Sequence, residues 1–249
     1  MDPYGWSWDA DALVVVPALA VAYTIACTRF PAPRWRVACF AGGCVLLLAV
    51  LITPLDTLAL HRLLLMHFLQ NVVLAEWAPL LVVLGLTPRM AAELERIPGA
   101  RLATHPLVSL PIWLATYYAW HLPWAYDAAL DHQWTLLHLE HATYFAAGVL
   151  LWWPVVHGRI STGGKALYVF GAFVLGAPLG LLLTLLPRPV YDFYERAPDM
   201  WGLSDLSDQQ IAGITMASEQ AVVFFVVLAL LLRRFFAEES RRDTFRVPV

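Results

Sequence analysis

Charged residues are scarce in this sequence. They make up 14% of its 249 residues, whereas hydrophobic residues make up 60%. An ordinary soluble domain is about 25% charged and about 45–50% apolar, so this composition excludes that class and predicts an integral membrane protein. The sequence also lacks a basic run with interleaved aromatic residues, and we therefore expect no nucleic-acid partner.

Cysteine is scarce as well. Cys27, Cys39 and Cys44 are the whole set, and no two of them form a CxxC pair. The CxxCH motif that attaches c-type heme is therefore absent, although b-type heme stays open. We interpret the three cysteines as small buried hydrophobic residues. The acidic N-terminus has no Lys or Arg before the first apolar run, so we expect no cleavable signal peptide.

Long apolar segments dominate the chain instead. A helix that crosses a bilayer needs about 20 mostly apolar residues. Seven segments meet this requirement: residues 12–28, 35–53, 63–86, 105–122, 134–156, 165–186 and 209–233. Pro79 lies inside the third segment and should bend it. We predict an all-α integral membrane protein, a seven-transmembrane-helix bundle that forms one membrane domain over residues 1–249, with a cytoplasmic tail at 234–249.

The basic residues in the connections indicate the orientation of the bundle. With the N-terminus outside, thirteen of the sixteen Lys and Arg residues fall on the inner side of the membrane. Arg62, Arg188 and Arg196 then fall on the outer side. This asymmetry predicts an outer N-terminus, a cytoplasmic C-terminus and an odd number of crossings.

Polar side chains gather at the predicted outer end of the bundle. They come from four helices: His67, Gln70 and Asn71 on the third, His121 on the fourth, His138 and His141 on the fifth, and Asp208 on the seventh. Polar groups inside a membrane are energetically expensive, and they usually face the protein interior and have a function. We interpret the other two outer histidines, His61 and His132, as interface residues.

This set of side chains is typical of a metal site. Imidazole is a ligand of copper, zinc and iron, and thioether sulfur favours copper(I). The spacing His138-x-x-His141 puts two rings on one helical face, one turn apart. We predict metal ligands at His67, His121, His138, His141 and Asp208, and possible ligands at Met66, Gln70 and Met216. Taken singly, each histidine could instead cap a helix or bond a carbonyl oxygen.

Two further carboxyl groups fall deeper in the membrane. Glu76 on the third helix and Glu219 on the seventh lie at similar depth, where the sequence offers no Lys or Arg. Such groups must be protonated, paired with a cation or bonded to polar neighbours. Both are possible metal ligands, or the proton or metal-ion relay of a transporter. In the structural alternative they bond each other or Gln220.

Three ordered blocks of motifs extend from the third helix onward. The first is His67-x-x-Gln70, Ala78-Pro79-Leu80-Leu81 and Gly85-x-x-Pro88. The second is His121-x-Pro123, Tyr126-Asp127-Ala128-Ala129-Leu130 and His138-x-x-His141. The third is Trp201-Gly202 and Asp208-Gln209-Gln210-x-Ala212-Gly213. Together they resemble the CtaG family, the integral-membrane assembly factors of caa-type cytochrome c oxidase. The chain departs from that family at Phe68 and Asn71, where Met and His are usual.

The resemblance implies a protein of the bacterial inner membrane that helps to mature a heme–copper oxidase. Copper handling is the activity usually suspected in this family. By position, the matching polar motif residues are His67, His121, His138, His141 and Asp208. We expect a non-enzymatic chaperone that binds copper at the outer leaflet and passes it to a cytochrome c oxidase subunit. The alternatives are a membrane-embedded oxidoreductase with zinc or b-type heme, a proton or metal transporter, and a structural partner that binds no ligand.

Overall fold

A computed structural model describes residues 2–198 and 200–244, and every regular element within them is a helix. The α-helices are α1 (Ala10–Arg29), α2 (Arg34–Ile52), α3 (Pro54–His61), α4 (Leu64–Val72), α5 (Ala78–Gly85), α6 (Pro88–Leu94), α7 (Ala100–Ala103), α8 (Pro106–Trp120), α9 (Pro123–Asp131), α10 (His138–Val156), α11 (Thr162–Leu185), α12 (Asp192–Glu195) and α13 (Asp205–Thr244). Two π-helical segments, Val73–Trp77 and Gln133–Leu137, precede α5 and α10. The predicted all-α class is confirmed.

Helices occupy all seven predicted positions. Five are long and apolar enough to cross a bilayer: Ala12–Arg29, Arg34–Ile52, Leu64–Gly85, Thr162–Leu185 and Asp205–Arg241. Helix α8 has 15 residues, a length of about 22 Å against a hydrocarbon core of about 30 Å. Helix α10 has a lower mean hydropathy than those five helices because it begins with the polar sequence His-Leu-Glu-His. Large apolar side chains also cover the outer surface, as expected in lipid; examples are Val14, Leu107, Leu167, Leu185 and Val222.

The third predicted segment is interrupted rather than simply bent. The π-helical turn Val73–Trp77 lies just before Pro79. In a regular α-helix the ring of Pro79 would clash with the carbonyl of Ala75, four positions earlier. The Trp152 indole N–H donates to the Glu76 carbonyl oxygen at 2.8 Å. A π-bulge inside an α-helix often marks a functional site, and this one presents Glu76 to the interior.

The seventh predicted segment is longer than expected at its C-terminal end. Helix α13 continues to Thr244, because residues 234–244 contain no Pro or Gly to stop it. The predicted tail at 234–249 is therefore helical over its first part, and residues 245–249 lie outside the described chain. On this extension, the Thr162 hydroxyl donates to Glu238 at 2.8 Å.

Small residues allow the helices around the outer end to pack closely. Helix α13 packs along α11 and α4, and α10 packs along α8 and α5. A Cβ on Gly180 would lie 2.8 Å from the Gly213 carbonyl oxygen. A Cβ on Gly148 of α10 would lie 2.2 Å from the Ala75 carbonyl oxygen. These contacts place the first residues of α10 beside α4.

Candidate functional site: a buried histidine cluster

His67 on α4 is fully buried, and its hydrogen bonds fix which ring nitrogen carries the proton. Its Nδ1 lies 3.0 Å from the Tyr194 hydroxyl, and that hydroxyl donates its hydrogen to the Ala59 carbonyl oxygen at 2.5 Å. The His67 Nδ1–H must therefore be the donor to Tyr194. The lone pair of Nε2 is left without a partner in the interior.

His121, which ends α8, has the same tautomer. Its Nδ1 lies 2.7 Å from the Tyr117 carbonyl oxygen, which can only accept a hydrogen bond. The neutral ring again has its free lone pair on Nε2, which is buried and has no partner. The side chain is 5% exposed.

Helix α10 brings His141 and Glu140 against His67. The His67 and His141 ring centroids are 6.2 Å apart, with the rings nearly perpendicular. Glu140 Oε1 lies 4.0 Å from His67 Nε2 and accepts a hydrogen bond from Asn71 at 3.0 Å. Glu140 Oε2 and His141 Nε2 are both buried without a partner. We call His67, His121, Glu140 and His141 the histidine cluster.

Sequence reasoning missed Glu140. It lies beside His141 in a predicted membrane segment, so it is a carboxyl group in an apolar stretch, as Glu76 is. Neighbouring residues on a helix point about 100° apart. The His-x-x-His spacing therefore does not predict that Glu140, one of the two residues between the histidines, also faces the cluster.

Aromatic side chains close the cluster. The Tyr126 ring centroid lies 4.9 Å from that of His67 and 6.1 Å from that of His121. Its hydroxyl is buried and contacts the hydroxyl of Tyr194. The Phe68 ring packs edge-on against His121 at 5.1 Å. Aromatic side chains therefore border the buried polar atoms of the cluster.

His138 lies at the rim of the cluster rather than inside it. Its Nε2 is 3.4 Å from Asp9 Oδ2, and the other carboxylate oxygen of Asp9 caps α1 by accepting from the Ala12 N–H at 2.8 Å. Residues three apart differ by about 60° around a helix, so His138 can bond Asp9 at the rim while His141 faces His67.

Asp208 accepts hydrogen bonds from the backbone of α4. Its two oxygens accept hydrogen bonds from the Leu64 and Leu65 N–H groups at 2.7 and 3.1 Å. Capping satisfies N–H groups that have no partner inside the helix. The carboxylate thereby fixes the start of α4, three residues before His67.

The other possible ligands, Gln70, Met66 and Met216, have different neighbours. The Gln70 amide donates to Asp56 Oδ1 at 2.6 Å and to the Val50 carbonyl oxygen at 2.8 Å. Burial raises the pKa of Asp56 from 3.8 to about 6. Met216 is buried in the apolar core, and Met66 is partly exposed.

Glu76 and Glu219 lie together in a second cluster of polar side chains. Gln220 of α13 donates to Glu76 at 2.8 Å, and the Trp77 indole donates to Glu219. The structural alternative predicted a bond from these carboxyl groups to Gln220, and Glu76 makes that hydrogen bond.

The donor atoms of the cluster fit a transition metal in type. Its three imidazoles and one carboxylate are ligands that copper and zinc accept. Within residues 2–198 and 200–244, no three His, Cys, Asp or Glu side chains are gathered closely enough to hold a metal ion. His67, Glu140 and His141 are thus neighbours that do not form a coordination sphere.

A family model described as cytochrome c oxidase caa3 assembly factor matches residues 20–238. No curated protein and no solved structure matches the chain.

Proposed function

The chain belongs to the family of cytochrome c oxidase caa3 assembly factors, and from this premise we propose that it binds copper in the histidine cluster and hands it to an oxidase subunit. The family match covers nearly the whole chain and supports a role in assembling cytochrome c oxidase. Such a role implies contact with oxidase components. Copper is here the cargo of the protein rather than a permanent cofactor.

One observation carries the copper proposal: three buried ligand atoms on two neighbouring helices have no hydrogen-bond partner. They are His67 Nε2, Glu140 Oε2 and His141 Nε2. A buried polar group without a hydrogen bond is destabilising by about 1–3 kcal/mol, and such groups are rare in native interiors. Binding of copper would draw the three side chains together and provide each of them with a partner. Because the ligands are not drawn together beforehand, the ion can be released to a client.

Neighbouring side chains prepare the cluster for a metal ion. Tyr194 holds the His67 ring with its Nε2 lone pair available, and a ligating histidine is commonly oriented by such a hydrogen bond on its other nitrogen. Asn71 orients Glu140, whose carboxylate would offset part of the charge of the ion. His121 supplies a further imidazole beside Tyr126, for use during transfer.

We propose that the bundle crosses the bacterial inner membrane seven times, with the N-terminus outside. The asymmetry of the basic residues supports this orientation. It puts the histidine cluster near the outer leaflet. Copper would then pass laterally to an oxidase subunit in the same membrane.

The function can be tested in bacteria that lack this chain and express a caa-type oxidase. We expect the wild-type chain to restore oxidase activity and copper content. The His67→Ala/His141→Ala double variant should leave the oxidase copper-poor, and added copper should partly restore it. His132→Ala is the matched control, because His132 is an exposed histidine predicted on the same side. Full copper loading by the double variant, at equal protein level, would refute the proposal.

A further inference from the structure

A second polar cluster lies deeper in the bundle. Glu76 belongs to the π-helical turn Val73–Trp77, while Glu219 and Gln220 belong to α13. Glu76 follows His67 by nine residues, about 13 Å along a helix. Gln220 Nε2 donates to Glu76 Oε1 at 2.8 Å, and the Trp77 indole N–H donates to Glu219 Oε1. These contacts occupy one oxygen of each carboxyl group.

The second oxygen of each carboxyl group, Glu76 Oε2 and Glu219 Oε2, is buried without a hydrogen-bond partner. The hydroxyl of Tyr117 on α8 lies beside them, where it contacts Gln220 and interacts electrostatically with both carboxyl groups. Glu76, Gln220 and Tyr117 are 0%, 1% and 3% exposed, so water at the surface does not satisfy them. Two unpartnered carboxyl oxygens, an amide and a hydroxyl from three parts of the fold thus lie together in the interior.

The charge at this position is also unbalanced. The groups that interact with the two carboxyls are each other, Gln220, Trp77 and Tyr117, with Tyr118 beside Tyr117. None of these side chains is a cation. Two carboxylates buried in an apolar interior are strongly destabilising unless positive charge offsets them. A bound proton or a metal cation would offset this charge.

We propose that Glu76, Glu219, Gln220 and Tyr117 form a second site, which binds one exchangeable hard cation, either a proton or an alkali or alkaline-earth ion. Carboxylate, amide carbonyl and hydroxyl oxygens are the ligands that hard cations prefer, whereas copper(I) prefers sulfur and imidazole. The site is separate from the histidine cluster and does not depend on the copper proposal.

The two carboxyl groups differ in burial. Glu219 and Trp77 are only partly buried, whereas Glu76 is completely buried. Glu219 therefore lies at the edge of the cluster, and Glu76 lies inside it. The π-helical turn can convert to α-helical geometry as the inner carboxyl changes partners, since such turns are local departures from the α-helix.

The site can be tested on the full chain in nanodiscs, with Trp77 as the internal reporter because its indole bonds Glu219. Sodium chloride and magnesium chloride are each titrated against choline chloride at constant ionic strength, and pH is titrated in choline chloride alone. The signal is the change in tryptophan emission that is lost in Trp77→Phe. We expect a saturable change with a metal ion, or with pH alone if the cation is a proton.

The variants make the test specific. Glu76→Gln and Glu219→Gln should each weaken the apparent affinity about tenfold or more, because each removes a charged ligand. Tyr117→Phe removes one oxygen with little change in volume and should weaken it less. Asp56→Asn alters a buried carboxyl outside both clusters and should leave the response unchanged. No Trp77-dependent response to any cation or to pH, or a response that survives in the Glu76→Gln/Glu219→Gln variant, would overturn the proposal.

Discussion

At the scale of single residues, Asp56 shows how the fold controls a charge outside the membrane-spanning helices. The carboxyl is 3% exposed and accepts a hydrogen bond from Gln70 at 2.6 Å. Burial raises its pKa from 3.8 to about 6, although hydrogen bonds from Ser7 and Gln70 oppose the rise. The folded state therefore holds a proton between about pH 4 and pH 6 that the unfolded state has lost. The stability that this proton contributes is complete below pH 4 and disappears as the pH rises through 6.

The variant Asp56→Asn should be insensitive to this change. An amide stays neutral at every pH and can still accept from Gln70. We expect its thermal midpoint in detergent to fall less than that of the parent between pH 5 and pH 8. The difference corresponds to on the order of 2 kcal/mol in favour of the variant at pH 8. Asp131→Asn, at an exposed carboxyl, should follow the parent. If Asp56→Asn also follows the parent, then the buried carboxyl does not titrate as described.

The sequence predicted some residues of the histidine cluster and missed others for a geometric reason. Helical spacing put His67 and Asn71 on one face, and both approach Glu140, at 4.0 and 3.0 Å. Spacing does not reveal what a neighbouring helix presents to that face. Glu140 could have been found only by testing every carboxyl in an apolar segment. The Tyr194 contact joins residues 127 positions apart, and no local pattern predicts it.

At the scale of helices, the approach of α10 to the broken helix Leu64–Gly85 determines whether the cluster forms. Gly148 makes this approach possible, because a Cβ there would lie 2.2 Å from the Ala75 carbonyl oxygen and 2.6 Å from Pro79 Cγ. Ala75 belongs to the π-helical turn, and Pro79 lies in the first turn of α5. The backbone cannot yield there without moving α10, and with it His141, away from His67.

Gly148→Ala should therefore destabilise the protein although alanine favours helix. Overpacking of this kind usually lowers stability by about 1–3 kcal/mol, and we expect a lower thermal midpoint and weaker copper binding. Gly171→Ala is the matched control on α11, because a Cβ at Gly171 meets no atom within 4 Å. That variant should keep or raise the midpoint, since alanine exceeds glycine in helix propensity by about 1 kcal/mol. Equal midpoints for the two variants would contradict the packing argument.

Hydropathy predicted the positions of the seven long helices because it reports burial in lipid or core. The distortion within Leu64–Gly85 and the short helices between the long ones depend on tertiary contacts. Pro79 indicated a bend in the third segment, but the π-helical form also requires the close packing of Gly148. Helix α13 extends beyond the predicted end of the seventh segment, because charged residues can end a membrane crossing without ending a helix.

At the scale of the whole molecule, the proposed orientation can be tested with paired cysteine variants. Ser161 and Ser204 are both exposed serines that accept a hydrogen bond from a backbone N–H three residues later. The proposed topology puts Ser161 inside and Ser204 outside. A membrane-impermeant maleimide added to intact cells should label Ser204→Cys, whereas Ser161→Cys should react only after lysis. The reverse pattern would invert the bundle and move the histidine cluster to the cytoplasmic side.

The most direct test of the copper account is X-ray absorption at the copper edge on purified protein loaded with one equivalent of copper(I). We predict imidazole scattering in the wild type and in His132→Ala. Copper content and imidazole scattering should both fall sharply in His67→Ala/His141→Ala. Unchanged copper and unchanged imidazole scattering in that double variant would show that the histidine cluster is not where copper binds.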